Sequence, residues 1–178
     1  MASMKREDLT TKLITEFSVR DIRENFYSFN CDNSSLSSYL YRSSYFDSLD
    51  FVNSTSVLVN EAGIVRGYFT LKQDRLKVQD LEYGALRIER FAVCETIQLN
   101  GLGRRMMKEI ETYARATSLR FLILETLYES RNFYYKTGFS KLFDKPLSAD
   151  VAHRESIFIL YKDLEYSEKI DEAYPGND

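Results

Sequence analysis

The spacing of apolar residues changes along the chain, and each change predicts a different element. Loose alternation in "KLITEFS" predicts a first strand. Two apolar runs on either side of residues 60–63 predict a β-hairpin. Further strands are predicted at "ALRIERFAV", "RFLILET" and "SIFILYKD". The segments with strand-like spacing therefore predict a sheet whose first strands are antiparallel.

Three other segments have helical spacing. In "NSSLSSYLYRSSYF", apolar residues recur on one helical face, and Asp32 or Asn33 is the expected N-cap. The segment "ESRNFYYKT" predicts a short helix ended by Gly138. After Gly103, an amphipathic stripe runs to about Thr117 and contains Met106, Met107, Ile110, Tyr113 and Ala114.

The order of these elements predicts a mixed α/β fold. The segment from residue 85 to residue 126 reads as one strand–helix–strand crossover, and a pair of glycines lies at its turn. A length of 178 residues and an apolar fraction of 44% fit one globular domain. We expect that domain to span residues 1–163 and to be followed by an acidic tail at 164–178.

Charge and special residues narrow the function classes only slightly. The tail carries a net charge of −4 and the rest of the chain +1, so total charge does not choose a partner. Two cysteines and the lack of any long apolar run favour a cytoplasmic protein with no membrane segment. His153 is the only histidine and is expected in a loop, so no metal site is predicted.

The stretch "QLNGLGRR" is the strongest local signal in the sequence. Two glycines one residue apart precede a helix, and a helix N-terminus favours an anion because its first N–H groups are unpaired. The spacing fits neither the Walker loop nor the dinucleotide fingerprint. From these residues alone, the glycine pair either binds an anion of another kind or only turns the chain.

Two motifs together resemble one family. "FAVCETIQLNGLGRRMM" resembles the acyl-CoA signature of the GCN5-related N-acetyltransferase (GNAT) family, in which Gln/Arg-x-x-Gly-x-Gly/Ala follows a strand. Ser130 and then "FYYKTGF" resemble the second motif of that family. The resemblance covers roughly residues 12–163. It implies a mostly antiparallel, twisted sheet that is flanked by helices and splayed between its fourth and fifth strands. It also implies a cytoplasmic acetyltransferase with acetyl-CoA as donor and no metal.

The resemblance also assigns the acetyl-CoA contacts. Main-chain groups of Phe91, Ala92 and Val93 are expected to bind the pantetheine arm, and the amide near Val93 to polarise the thioester carbonyl. Arg104, Arg105 and Lys108 either add charge near the phosphates or form a solvated helix face. The full set of expected contacts beyond the strand is Gln98, Asn100, Gly101, Leu102, Gly103, Arg104 and Ser130.

Two residues are the catalytic candidates. Tyr134 matches the family tyrosine that protonates the departing CoA thiolate; its alternative is a ring packed beneath the cofactor. Glu89 has the same parity along its strand as Phe91 and Val93. It is a general base, a substrate-orienting carboxylate, or a strut for Arg87 or Arg90. Water chains can also remove the proton in this family.

The N-terminal third resembles one branch of the family. "FNCDNSSLSSYL" followed by "GYFTL" resembles a branch that includes toxins acetylating aminoacyl-tRNA, which ribbon-helix-helix antitoxins neutralise. A tRNA binder is expected to be strongly basic, and a body of net charge +1 is not.

Three functions therefore stay open. The first is acetyl transfer to a primary amine of a small molecule or a protein. The second is a toxin with tRNA as substrate and an antitoxin as partner. The third is a non-catalytic module that keeps the CoA site. A homodimer is also left open, since the aromatic-rich N-terminal region offers an interface.

Overall fold

A computed structural model describes residues 7–78, 80–142 and 157–165. His153 and residues 166–178 of the acidic tail lie outside this range. No helix in the described part is long and apolar enough to cross a membrane. The expected boundary between domain and tail stays a prediction.

Seven strands of the described residues form one sheet: β1 (Leu9–Leu13), β2 (Ser54–Asn60), β3 (Val65–Val78), β4 (Leu81–Val93), β5 (Phe121–Leu127), β6 (Ser140–Lys141) and β7 (Ile157–Asp163). Their order in the sheet is β1-β2-β3-β4-β5-β7-β6. Neighbouring strands are antiparallel in the β1–β2, β2–β3, β5–β7 and β6–β7 pairs, whereas β4 and β5 are parallel. The predicted mixed α/β fold and its crossover between β4 and β5 are therefore confirmed.

Five α-helices accompany the sheet in the described residues: α1 (Val19–Asn25), α2 (Ser34–Arg42), α3 (Ser44–Leu49), α4 (Leu102–Ala116) and α5 (Arg131–Tyr135). Asn33 is the N-cap of α2, and its side chain accepts a hydrogen bond from the N–H of Leu36 at 3.0 Å. The buried stripe of α4 is the predicted one except for Tyr113, whose side chain is 51% exposed.

The N-terminal segment differs from its prediction. The first strand lies at β1, and Ile14–Glu16 forms a 3-10 turn rather than strand. The carboxylate of Glu16 accepts a hydrogen bond from the N–H of Leu13 at 2.7 Å, which closes the turn and buries Ile14 completely. Helix α1 follows, and Ser18 caps it by accepting from the N–H of Asp21.

The chain forms two compact units, and β3, β4 and α4 each pass from one unit into the other. The first unit contains residues up to Lys72 together with residues 90–106. Helices α1–α3 and the β1–β2–β3 antiparallel region belong to it. Its core buries side chains from these helices and strands: Ile14, Ile22, Phe26, Phe29, Tyr39, Leu40, Val57, Val59, Val65, Tyr68 and Ala92.

The second unit contains residues 73–89 and residues from 107 onward. Its parallel ladder runs from the pair Ala85–Phe121 to the pair Ile88–Leu124. In the described chain, this register covers only part of each strand, because β4 continues to Val93 and β5 to Leu127. A small core of Leu76, Ala85, Phe121 and Ile123 fills this unit beside the ladder.

Gly67 provides a test of packing in the first unit. A Cβ on this residue of β3 would lie 2.8 Å from the Met106 sulfur and 3.1 Å from the Ala92 carbonyl oxygen. The carbonyl belongs to a strand and cannot rotate away. We expect Gly67→Ala to lower the free energy of unfolding by about 1–3 kcal/mol, measured by urea denaturation. An unchanged urea midpoint would contradict this close approach.

Candidate active site

The segment after β4 is held at its start by main-chain hydrogen bonds. The N–H of Cys94 donates to the carbonyl of Arg66, and the N–H of Glu95 donates to the carbonyl of Asn30, both at 2.9 Å. Glu95–Ile97 then forms one 3-10 turn. These bonds fix the direction in which the chain leaves the strand, so the glycine-containing turn that follows starts from a fixed position.

Gln98 braces the same segment through its side chain. Its amide nitrogen donates to the carbonyl oxygen of Val93 at 3.2 Å and to that of Cys31 at 3.4 Å. The sequence places Gln98 among the acetyl-CoA contacts. In the structure its donors are directed at the protein, so it acts on the turn by holding the main chain around it.

The turn itself requires special backbone conformations. Gly101 has φ = +83°, which favours glycine, and the space where a Cβ would lie is open to 4 Å. Leu99 also has a positive φ, +66°, and its side chain is fully exposed. A non-glycine residue in this region is strained, and such strain is common at binding sites.

Helix α4 begins immediately after Gly101, whose carbonyl accepts the first helical hydrogen bond, from the N–H of Arg105 at 3.1 Å. The N–H groups of Leu102, Gly103 and Arg104 belong to the first turn and have no acceptor within the helix. Leu102 turns its side chain into the protein and is only 8% exposed. The helix therefore presents bare main-chain donors and the positive end of its dipole, which suit a phosphate or pyrophosphate.

Of the three basic residues near the turn, one is already engaged. The guanidinium of Arg105 donates to the carbonyl of Leu9 at 2.7 Å and so fixes the helix to β1. Arg104 and Lys108 are exposed. Arg104 and Lys108 are therefore the two for which both alternatives stay open, charge near a bound anion or a solvated helix face.

The second unit contains Ser130 and Tyr134. Ser130 is exposed and precedes α5; its carbonyl accepts from the N–H of Phe133 at 3.1 Å. The Tyr134 side chain is 8% exposed and its ring lies edge-on to those of Phe133 and Phe139, with centroids 5.2 and 5.8 Å away. Burial raises the pKa of Tyr134 to about 12. A phenol is protonated at neutral pH even at its ordinary pKa near ~10, so the hydroxyl is able to donate with or without this rise.

A buried ion pair holds the end of α5. The ammonium of Lys162 on β7 donates to the Glu111 carboxylate and to the carbonyl of Thr137, each at 2.8 Å. Both side chains are mostly buried, at 11% and 19% exposed. Gly138 ends the helix with φ = +87°, and a Cβ there would lie 3.1 Å from the Lys162 nitrogen. The sequence pattern does not predict this pair, because its partners are 51 residues apart.

Glu89 lies on β4, one residue beyond the end of the ladder with β5, and is half-buried. In the described chain, Arg87 pairs with Asp74 at 2.5 Å and with Glu125 at 3.1 Å. Arg90 lies over the ring of Tyr39, 3.6 Å from its centroid.

The profile of the acetyltransferase (GNAT) family matches residues 18–139, about two thirds of the chain. The chain belongs to the acetyltransferase (GNAT) family. The expectation that it is an enzyme, an acyltransferase, is therefore confirmed. No curated protein matches the chain in sequence.

Solved structures share the fold across nearly the whole chain. A crystal structure of a bacterial toxin has a TM-score of 0.74 at 14% identity and covers 97% of this chain and 100% of its own. AtaT complexed with acetyl-methionyl-tRNA has a TM-score of 0.69 at 16% identity, covering 92% and 99%. A mutant AtaT toxin bound to the C-terminus of the antitoxin AtaR and acetyl-CoA has a TM-score of 0.70 at 18% identity, covering 92% and 98%. Identities this low establish the fold alone.

The structure groups the predicted site residues by unit. The first unit contains the end of β4 and the turn into α4, hence Phe91, Ala92, Val93, Gln98, Asn100, Gly101, Leu102, Gly103 and Arg104. The second contains Glu89, Ser130 and Tyr134. Within the described chain no cluster of metal-ligating side chains is found. The roles of these residues in binding and catalysis stay predictions.

The Lys162–Glu111 pair gives a test of what positions α5. Lys162→Met removes the cation and leaves the Glu111 carboxylate and the Thr137 carbonyl without their donor. We expect the free energy of unfolding to fall by about 2–3 kcal/mol in urea denaturation. The matched control is Arg75→Met, which breaks an exposed pair with Glu82 and should cost less than about 1 kcal/mol. Equal losses would show that the buried pair does not stabilise this region.

Proposed function

We propose that the chain transfers the acetyl group of acetyl-CoA to a primary amine, directly and within a ternary complex. The observation that carries the proposal is the start of α4, where a positive-φ glycine is followed by three main-chain donors with no helical acceptor. The family provides the reaction class. The reaction also needs a proton donor for the departing thiolate, and the buried Tyr134, which is protonated at neutral pH, provides it.

The donor is held mainly through main-chain groups in this proposal. The N–H groups of Leu102, Gly103 and Arg104 bind the pyrophosphate, and the open space at Gly101 lets the phosphates approach the backbone. Asn100 and the exposed Ser130 are further contacts. Phe91, Ala92 and Val93 bind the pantetheine arm through their main chain, and Gln98 keeps the turn in place.

The reaction forms one bond and breaks one. The neutral amine attacks the thioester carbonyl carbon, a C–N bond forms, and the C–S bond breaks with the electron pair leaving on sulfur. The hydroxyl of Tyr134 donates its proton to that thiolate, and the phenolate regains a proton from solvent. An ordinary phenol, with a pKa near ~10, is already protonated at neutral pH, and burial favours the neutral form further.

The amine must lose a proton, because amines of this kind have a pKa near ~10.4 and are mostly charged at neutral pH. Glu89 is our candidate acceptor, directly or through a water molecule. It is half-buried at the end of the ladder between β4 and β5. The alternatives are a carboxylate that orients the substrate, a strut for Arg87 or Arg90, and proton removal by water alone.

A second candidate function is a toxin that acetylates aminoacyl-tRNA. It is favoured by the structural likeness to AtaT, which was solved in complex with acetyl-methionyl-tRNA and in complex with its antitoxin. Under this function a ribbon-helix-helix antitoxin is the partner, and a homodimer is also compatible. Free thiols at Cys31 and Cys94 fit a cytoplasmic reaction. A CoA-release screen over polyamines, amino acids, peptides and aminoacyl-tRNA separates the two functions.

The placement of the donor can be tested at Gly103. Gly103→Asp puts a carboxylate at the start of α4, beside the proposed pyrophosphate, and adds both bulk and repulsion. We expect acetyl-CoA binding, measured by calorimetry, to weaken at least tenfold, about 1.4 kcal/mol. Lys77→Gln, on an exposed part of β3, is the control and should bind acetyl-CoA normally. Undiminished affinity in folded Gly103→Asp protein would place the donor elsewhere.

The role of Tyr134 can be tested by removing only its hydroxyl. Tyr134→Phe keeps the buried ring, so folding and acetyl-CoA affinity should hardly change, whereas kcat should fall by about 100-fold or more. Tyr135 is the adjacent control: its side chain is 39% exposed, and Tyr135→Phe should be nearly silent. If both variants lose activity equally, or Tyr134→Phe keeps the wild-type rate, the thiolate is protonated by another group.

A further inference from the structure

Two basic side chains of the second unit lie over a pair of touching aromatic rings. The guanidinium carbon of Arg131 is 3.5 Å from the ring centroid of Tyr128 and 5.5 Å from that of Phe158. The ammonium of Lys141 is 5.3 Å from the Phe158 centroid, and the two ring centroids are 6.1 Å apart. These four residues are called the cationic face below. Both of its positive charges are held beside the same ring.

The cationic face has no acidic partner within residues 7–78, 80–142 and 157–165. No ion pair in these ranges involves Arg131 or Lys141. The Nε of Arg131 is buried and donates to no acceptor in the same part of the chain. A buried donor without an acceptor costs about 1–3 kcal/mol, and like charges held near one another repel. A carboxylate bound to the face would lower both costs.

The surroundings of the cationic face are exposed and partly apolar. Tyr128 is 57% exposed. Leu127 and Ile157, which are register partners in the β5–β7 ladder, are 42% and 50% exposed. A peptide segment that carries both carboxylates and apolar side chains fits such a surface better than a small anion, because burial of the apolar area adds to the ion pairing.

The acidic tail is joined to β7 of the same unit. Its residues 166–178 contain four acids and one lysine, a net side-chain charge of −3, with Ile170 and Tyr174 among the charges. Residues 143–156, which join β6 to β7, contain three acids and two basic residues, a net charge of −1. Charge complementarity therefore favours the tail over the other segment that is joined to this part of the sheet.

The tail is also long enough to reach the cationic face. It follows β7, whereas the face lies at the beginning of that strand, where Phe158 is the second residue. Six steps of about 3.3 Å separate Ile157 from Asp163, which is roughly 20 Å. Asp171 and Glu172 follow Glu165 by six and seven residues, so an extended chain can carry their carboxylates back over the same distance.

We propose that residues 166–178 bind to the cationic face of their own unit. The carboxylates of Asp171 and Glu172 accept hydrogen bonds from the two cations, and the Tyr174 ring packs beside Tyr128. Stacking on Tyr128 keeps the Arg131 guanidinium flat, and its outer N–H groups then lie in one plane, as a bidentate carboxylate requires. The acidity of the tail thus serves cations of the same chain. This contact is independent of the reaction that the chain catalyses.

A tryptophan placed in the tail can report this contact, because the chain contains no tryptophan of its own. The test uses the full chain with Tyr174→Trp and measures how strongly acrylamide, an uncharged quencher, reduces the fluorescence. We expect the indole to be shielded at low salt, compared with a free peptide of residues 164–178 that carries the same substitution. In about 1 M NaCl the shielding should be lost, because salt screens the ion pairs.

Neutralising either side of the contact should release the tail. In the tryptophan-labelled chain, we expect Arg131→Gln and Lys141→Gln each to lower the equilibrium constant for tail binding about tenfold, or about 1.4 kcal/mol, because each removes a charged donor. Asp171→Asn combined with Glu172→Gln should have at least the same effect from the side of the tail.

Two further substitutions are matched controls and should leave the indole shielded. Lys77→Gln removes a positive charge from an exposed position of β3 in the same unit, and Asp150→Asn removes an acid from the segment between β6 and β7. The proposal fails if the indole is as accessible as in the free peptide, or if either control releases it. It also fails if shielding is lost on dilution, because the tail would then bind a second copy. Lys141→Gln and the tail variants keep the test decisive should Arg131→Gln not fold.

Discussion

The first N–H groups of α4 have no acceptor within the helix, whereas hydrogen bonds hold the segments on both sides of the turn that precedes it. Main-chain bonds from Cys94 and Glu95 anchor the preceding segment, and the Gln98 side chain ties it back to β4. Arg105 fixes the first turn of the helix to β1. Because all of these bonds are made by flanking residues, the donors of the turn are left for a ligand. The positive φ of Gly101 is what allows the chain to enter the helix in this way.

A different requirement governs α5. This helix has only five residues, too few to be stable alone, so packing and the Lys162 contacts must hold it. The same packing buries Tyr134, and burial is what raises the pKa of its phenol. One physical cause, the removal of the ring from water, thus accompanies both the fixed position of the side chain and the raised pKa of its phenol. Loss of the Lys162 contact would disturb both together.

The sequence predicts those parts of the fold whose causes are local. The hairpin around residues 60–63, the Asn33 cap and the β4–α4–β5 crossover follow from turn residues, capping chemistry and periodicity. The 3-10 turn at Ile14–Glu16 was missed because the Glu16 carboxylate closes it, which overrides the alternation. The start of α1, by contrast, has a local cause, because Ser18 and Asp21 form a capping box three residues apart. The Lys162–Glu111 ion pair and the contact of Arg131 with the rings of Tyr128 and Phe158 depend on tertiary packing. The spacing of residues along the sequence cannot reveal such contacts.

The total charge of the chain says little about which anions it can bind, for a physical reason. The chain outside the acidic tail has a net charge of only +1. Salt screens exposed charges beyond about 8 Å under physiological conditions, so a ligand responds to the charges within that distance rather than to the total. At the start of α4 the guanidinium of Arg105 is bound to the carbonyl of Leu9, whereas Arg104 is exposed. A nearly neutral chain can therefore still present a locally positive surface, because the sign of the local field is set by which residues are brought together and which of them are already engaged.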